Sequence, residues 1–78
     1  MLTSPQLRAA RAFLGWKQEE LAKKAKIGLA TIQRLERGTG PVMAQVSTVM
    51  KIETCLKRAG IILIESDDHA GLGVRLGK

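Results

Sequence analysis

Few residues in this chain of 78 can do covalent or metal chemistry. Cys55 is the single cysteine and His69 the single histidine. One thiol cannot close an internal disulfide, and one histidine with no cysteine cluster offers neither a zinc site nor a nucleophile–base pair. Cys55 lies in a helical pattern and reads as a small core residue. Enzymatic catalysis and a metal or organic cofactor are therefore not expected. What the chain does carry is positive charge: Lys and Arg number 13 against 7 Asp and Glu, a formal net charge of +6 with a pI near 10.1. That balance suits a polyanionic partner, nucleic acid or an anionic membrane. Two charges stand out by their surroundings, because Arg11 and Glu36 each sit among apolar neighbours and need a partner if buried. Arg8, three residues before Arg11, reads as a solvated or phosphate-facing charge.

These charges are organised by the stretch Gln18 to Glu36, QEELAKKAKIGLATIQRLE. Two short amphipathic segments, QEELAKKA and LATIQRLE, are joined by Lys26-Ile27-Gly28 alone. So tight a joint keeps two helices from lying antiparallel and makes them cross at a large angle, the helix-turn-helix geometry. In the first segment Leu21, Ala22 and Ala25 form the inward face, and Ala22 must be small because the next helix crosses close to it. Lys23, Lys24 and Lys26 face outward. In the second, Ile32 and Leu35 point inward, while Leu29, Ala30, Gln33 and Arg34, with Thr31 at the flank, lie on the outer face. Ile27 is expected between the helices and Gly28 as an uncharged cap. Lys17 stands at the cap position of the first segment. It is a poor capping residue, but Glu20 three positions later and a Trp16–Leu21 staple complete the start signal. Glu19 and Glu20 suit the positive end of that helix.

Before this unit, Thr3-Ser4-Pro5 reads as a helix start with Ser4 as cap and Pro5 in the first turn. The helix runs to about Leu14 and stops at Gly15. Leu7, Ala10 and Leu14 share its inner face with Phe13 adjoining. After the unit, Gly38-Thr39-Gly40-Pro41 is a loop rich in free backbone amides. A longer helix is expected from about Met43 to Ala59, with Gly60 as its stop and Val46, Val49, Met50, Ile52 and Leu56 on a wide apolar face. Ile61-Ile62-Leu63-Ile64 reads as a strand, Ser66 to Gly71 as a polar loop, and Val74-Arg75-Leu76 as a returning strand. A two-stranded hairpin is marginal alone. It either folds back on its own helices or pairs with a second copy.

With Phe13 and Trp16 the only aromatics, a stacking platform for single strands is unavailable. The longest apolar run, Ile61 to Ile64, is too short to cross a bilayer, and the opening residues do not resemble a leader. A cytoplasmic protein with no membrane association is the expectation.

Gln18 to Gly38, with Leu7, Arg11 and Gly15 before it, resembles the Xre/Cro-type helix-turn-helix proteins, which include lambdoid phage repressors and Cro. The residues that carry the likeness are Leu7, Arg11, Gly15, Gln18, Leu21, Ala22, Ala25, Ile27, Thr31, Ile32, Leu35, Glu36 and Gly38. They cover roughly the first half of the chain. Three positions depart from the family pattern: Lys26 stands where a left-handed glycine is usual, Gly28 where serine or threonine is usual, and Lys17 where a capping serine or threonine is usual.

The resemblance implies a mainly α fold, a lambda-repressor-like bundle of about four helices with a C-terminal two-stranded β-hairpin. Residues 1–60 would form the DNA-binding domain, with the helix-turn-helix at 18–37, and 61–78 a packing or dimerisation appendage. It implies an Arg11–Glu36 ion pair that ties the first helix to the recognition helix. It further implies a sequence-specific regulator of transcription, a repressor, that reads the major groove of double-stranded DNA with the helix at 29–37. Leu29 and Ala30 match the principal base-contacting positions and can only touch thymine methyls or exclude water; Arg34 has the planar fork for a guanine, and Gln33 is a second polar reader. The phosphate candidates are Lys17, Gln18, Lys26, Thr31, Arg37, Thr39 and the Gly40 amide. A homodimer on an inverted-repeat operator is expected, with Ile61, Ile62, Leu63, Ile64, Val74 and Leu76 as the dimer candidates. The alternative is an antitoxin-like interaction protein whose C-terminal part holds a partner protein and whose DNA binding serves autoregulation.

Overall fold

The computed structural model describes residues 2–65, 71 and 73–77. Its elements in chain order are α1 (Ser4–Leu14), α2 (Gln18–Ala25), α3 (Leu29–Glu36), α4 (Val46–Arg58), β1 (Ile61–Ile64) and β2 (Gly73–Leu76). It is mainly helical, four helices followed by a two-stranded antiparallel hairpin among the described residues. The strands pair from Ile61 opposite Leu76 to Ile64 opposite Gly73. The expected loop residues Ser66 to Ala70 lie outside the described residues.

The first helix starts one residue earlier than its sequence suggests. Thr3, not Ser4, is the cap: its backbone is extended (φ −113°, ψ 161°) and its hydroxyl accepts the Gln6 amide at 3.3 Å. Gln6 returns the bond, its Oε1 accepting the Thr3 amide at 3.0 Å, so the two residues form a reciprocal capping box. Ser4 is thereby free to bond the Leu35 carbonyl. The other end is as expected, with Gly15 at φ 69° closing α1. The joint after α2 is closed the same way by Lys26, at φ 59° and ψ 47°, the one described non-glycine residue with positive φ. The position keeps the family's left-handed geometry without the family's glycine, at a steric cost of about 1–2 kcal/mol.

Four helices and β1 enclose one core. Leu2, Leu7, Leu21, Ile32, Ile52 and Leu56 are its fully buried large side chains, and Ala22 and Ala25 are the small buried residues of α2. Leu2 and Val42 are core residues that periodicity does not reveal. They meet in a short antiparallel bridge, where the Val42 amide donates to the Leu2 carbonyl at 3.0 Å and the Ser4 amide donates to the Gly40 carbonyl at 2.9 Å. This bridge holds the chain extended after Pro41 and delays α4 to Val46, three residues later than expected. Met43 is therefore outside the helix and 79% exposed. Phe13, beside the inner face of α1, is exposed, while α1 packs on α3 and β2. Ile27 is half-buried against the core.

The hairpin packs on its own helices, β2 on α1 and β1 on α4. Gln6 holds it there. Its Nε2 donates to the carbonyls of Ile64 and Gly73, both at 3.0 Å, one on each strand at the same ladder rung. Ile61 is buried in this shared core and Leu63 and Val74 are half-buried against it. Of the six residues named as dimer candidates, Ile62, Ile64 and Leu76 are exposed.

Candidate nucleic-acid interface

The C-terminal end of α3 is gripped by one stripe of α1. Ser4, Arg8 and Arg11 follow helical spacing i, i+4, i+7, which sets them on a single face. The Ser4 hydroxyl donates to the Leu35 carbonyl at 2.5 Å. Arg8 donates from Nη1 to the carbonyls of Glu36 and Gly38, the latter at 2.9 Å. Arg11 donates from Nε and Nη2 to the two Glu36 carboxylate oxygens, at 2.8 and 3.0 Å. The last carbonyls of a helix have no partner within it. Here α1 supplies partners from 28 to 31 residues upstream. Arg8 is thus a cap on α3 and not a free surface charge. Gly38 is small for a reason, since a Cβ there would come within 3.1 Å of the Ser4 hydroxyl oxygen.

Glu36 is the hub of this arrangement. Its side chain is 4% exposed and accepts a third bond from Gln18 Nε2 at 3.1 Å. Arg11 also reaches the Trp16 carbonyl from Nη1 at 3.0 Å. One ion pair therefore fixes the end of α1, the start of α2 and the end of α3. Among the described residues no buried side-chain nitrogen or oxygen lacks a partner.

Held from behind, α3 turns its other face outward. Leu29, Ala30, Gln33, Arg34 and Arg37 are exposed, and Thr31 is half-buried at the flank. The Arg34 guanidinium rests on the Met43 carbonyl by one exposed bond of 3.3 Å. Arg37 folds back on the Gln33 carbonyl at 3.4 Å. Lys17, Lys26 and Thr39 are exposed around this face, and Gln18 and Gly40 are half-buried beside it. At Lys17 the missing side-chain cap is made good by Glu20, whose carboxylate accepts the Lys17 amide at 3.1 Å.

The helix-turn-helix family model matches residues 7–60, most of the chain. The chain belongs to the Cro/C1-type helix-turn-helix family. It is a DNA-binding, Xre-like regulator of transcription. The family is one of DNA-binding regulatory domains and is not typically enzymatic. No curated protein matches the chain. No described helix is long and apolar enough to cross a membrane.

Relative to the pattern of this helix-turn-helix family, Ser4, Gln6 and Arg8 are what sequence reasoning missed. The signal for Ser4 and Arg8 was present in their i, i+4, i+7 relation to Arg11. Cys55 sits half-buried in α4, and burial pushes its thiol above its usual pKa against the lowering effect of Lys24 and Arg58. That environment disfavours the thiolate.

Proposed function

We propose that this regulator is a sequence-specific repressor that binds an inverted-repeat operator as a homodimer and inserts α3 in the major groove. The observation that supports it most is the asymmetry of α3. Its C-terminal end is bonded to α1 through Ser4, Arg8 and Arg11, while its outward side chains make no bond to any other helix or strand. Leu29 and Ala30 lead the helix and offer only apolar contact, so thymine methyls and groove shape are their targets. Arg34 is the guanine reader, since exchanging one exposed 3.3 Å bond for a bidentate contact loses little. Gln33 is the second polar reader.

Lys17, Gln18, Lys26, Thr31, Arg37, Thr39 and the Gly40 amide are assigned to phosphates. Gln18 spends one side-chain hydrogen on Glu36 and keeps its second, with the first-turn amides of α2, for a phosphate oxygen. The hairpin supplies the dimer contact through Ile62, Ile64 and Leu76, on strands whose outer edges carry no described partner strand. Two half-sites would then lie about 34 Å apart.

Selection of bound duplexes from a random pool tests the reading directly. A recovered palindrome with half-sites one turn apart is expected. Recovery of no consensus, with steep salt dependence retained, removes sequence-specific reading. Arg34→Ala is expected to relax one position of the consensus, at about 1–3 kcal/mol. An equal loss on every sequence would reassign Arg34 to a phosphate.

A further inference from the structure

An open cleft of about 440 Å³ lies between the end of α2 and the outer face of α4. Lys24 comes to it from α2, Lys26 from the joint that follows, and Lys51 and Arg58 from α4. No carboxylate lines it, and among the described residues none of the four cations makes an ion pair. Lys24 instead lies over the Trp16 ring, 5.2 Å from its centroid. Lys24 and Arg58 both act electrostatically on Cys55, which also lines the cleft, so the two charges converge there.

The cleft is apolar as well as basic. Ala25, Met50 and Cys55 contribute to its lining. Met50 also borders a neighbouring groove that it shares with Val46, the two side chains being 58% and 75% exposed, and with one carboxylate, Glu53. An apolar strip thus continues past the cations along α4. Met50 and Val46 take no part in the core that Ile52 and Leu56 fill from the same helix.

We propose that this α2/α4 cleft docks an acidic amphipathic segment of another protein, with its aliphatic side chains on Met50 and Val46 and its carboxylates on Lys24, Lys26, Lys51 and Arg58. Charge complementarity selects this occupant. Duplex DNA would satisfy the four cations but leave Met50 and Val46 in water. A second copy joined by a two-fold axis through the cleft would set the same four cations against themselves. None of the outward residues of α3 lines the cleft, so docking leaves the proposed base-reading face free, and only Lys26 is shared with the phosphate contacts proposed above.

The test uses the full chain, isotope-labelled for amide spectra. The probe is a synthetic helical peptide of Glu and Leu with the leucines at i, i+3, i+4, i+7. Its controls are a scrambled peptide of the same composition, polyglutamate, and a short duplex of random sequence. The helical peptide is expected to bind saturably and to shift the amides of residues 24–26 and 50–58. Met50→Glu, and separately Lys51→Glu with Arg58→Glu, are expected to weaken it about tenfold or more, as loss of an interface anchor does. Lys57→Glu makes the same kind of charge change on α4 but borders the hairpin groove, and should leave binding unchanged. All four positions are exposed, so folding is retained.

Equal binding by the scrambled peptide or polyglutamate would reduce the cleft to a diffuse basic surface and overturn the proposal. So would shifts at these amides caused by the duplex and not by the peptide. Concentration-dependent shifts there without any peptide would assign the face to a second copy.

Discussion

Arg11 and Glu36 meet in a two-pronged ion pair, Nε to Oε2 at 2.8 Å and Nη2 to Oε1 at 3.0 Å, with the arginine a quarter exposed and the glutamate almost fully buried. The asymmetry in burial decides which partner matters more. Removing Arg11 strands a buried carboxylate that retains only Gln18, whereas removing Glu36 leaves an arginine that can turn to water. Arg11→Ala should therefore cost about 3 kcal/mol, the low end for breaking a buried pair, and Glu36→Gln clearly less. Urea denaturation of both variants checks the order. An equal cost for the two would show that the network, and not the stranded charge, sets the energy.

A second coupling is steric. The Ser4 hydroxyl oxygen lies 3.1 Å from where a Cβ on residue 38 would sit. Gly38→Ala should destabilise the protein by pushing Ser4 off the Leu35 carbonyl. Ser4→Ala alone should cost about 1 kcal/mol for the lost hydrogen bond. Made together, the two changes should cost less than their sum, by about 0.5 kcal/mol or more, since no hydroxyl remains to be displaced. A double-mutant cycle by thermal or urea unfolding measures the difference.

Lys26 offers two opposed readouts. Its left-handed backbone makes Lys26→Gly a relief of about 1–2 kcal/mol of strain, offset by about 0.5–1 kcal/mol of added chain entropy. A small net gain in stability is expected, seen as a higher urea midpoint at unchanged slope. The same change removes a proposed phosphate contact. DNA binding should weaken evenly across sequences, with the salt slope falling by about 1. A more stable protein whose salt slope does not move would take Lys26 off the DNA.

Gln6 joins the hairpin to the helices. Gln6→Leu keeps the bulk but removes the capping box and both bonds to Ile64 and Gly73. A loss of about 2–3 kcal/mol is expected, from two or three net hydrogen bonds near 1 kcal/mol each. Amide exchange should quicken first in 61–64 and 73–76 and less in α2 and α3. Uniform acceleration through the whole chain would show that hairpin and helices open as one unit.

The sequence by itself determined the local events. Gly15 stops α1 and Gly60 ends the last helix because each takes a positive φ that needs no side-chain accommodation. The three-residue joint forced two helices to cross, and the spacing of Leu21, Ala22, Ala25, Ile32 and Leu35 fixed which faces met. The Arg11–Glu36 pair was legible from a charge set among apolar neighbours at each end, together with the family resemblance. What only the tertiary structure decided involved partners distant in sequence. Thr3 and Ser4 are equally good caps by local rules, and the choice fell to Thr3 because Ser4 meets the Leu35 carbonyl 31 residues away. Arg8 reads locally as a solvated or phosphate-facing charge, and only the fold brings the terminal carbonyls of α3 within its reach. The start of α4 moved to Val46 because Gly40 and Val42 bond back to the first residues of the chain. Helix starts, stops and buried faces answer to neighbours within a turn. Caps, clamps and delayed starts answer to carbonyls that folding alone brings near.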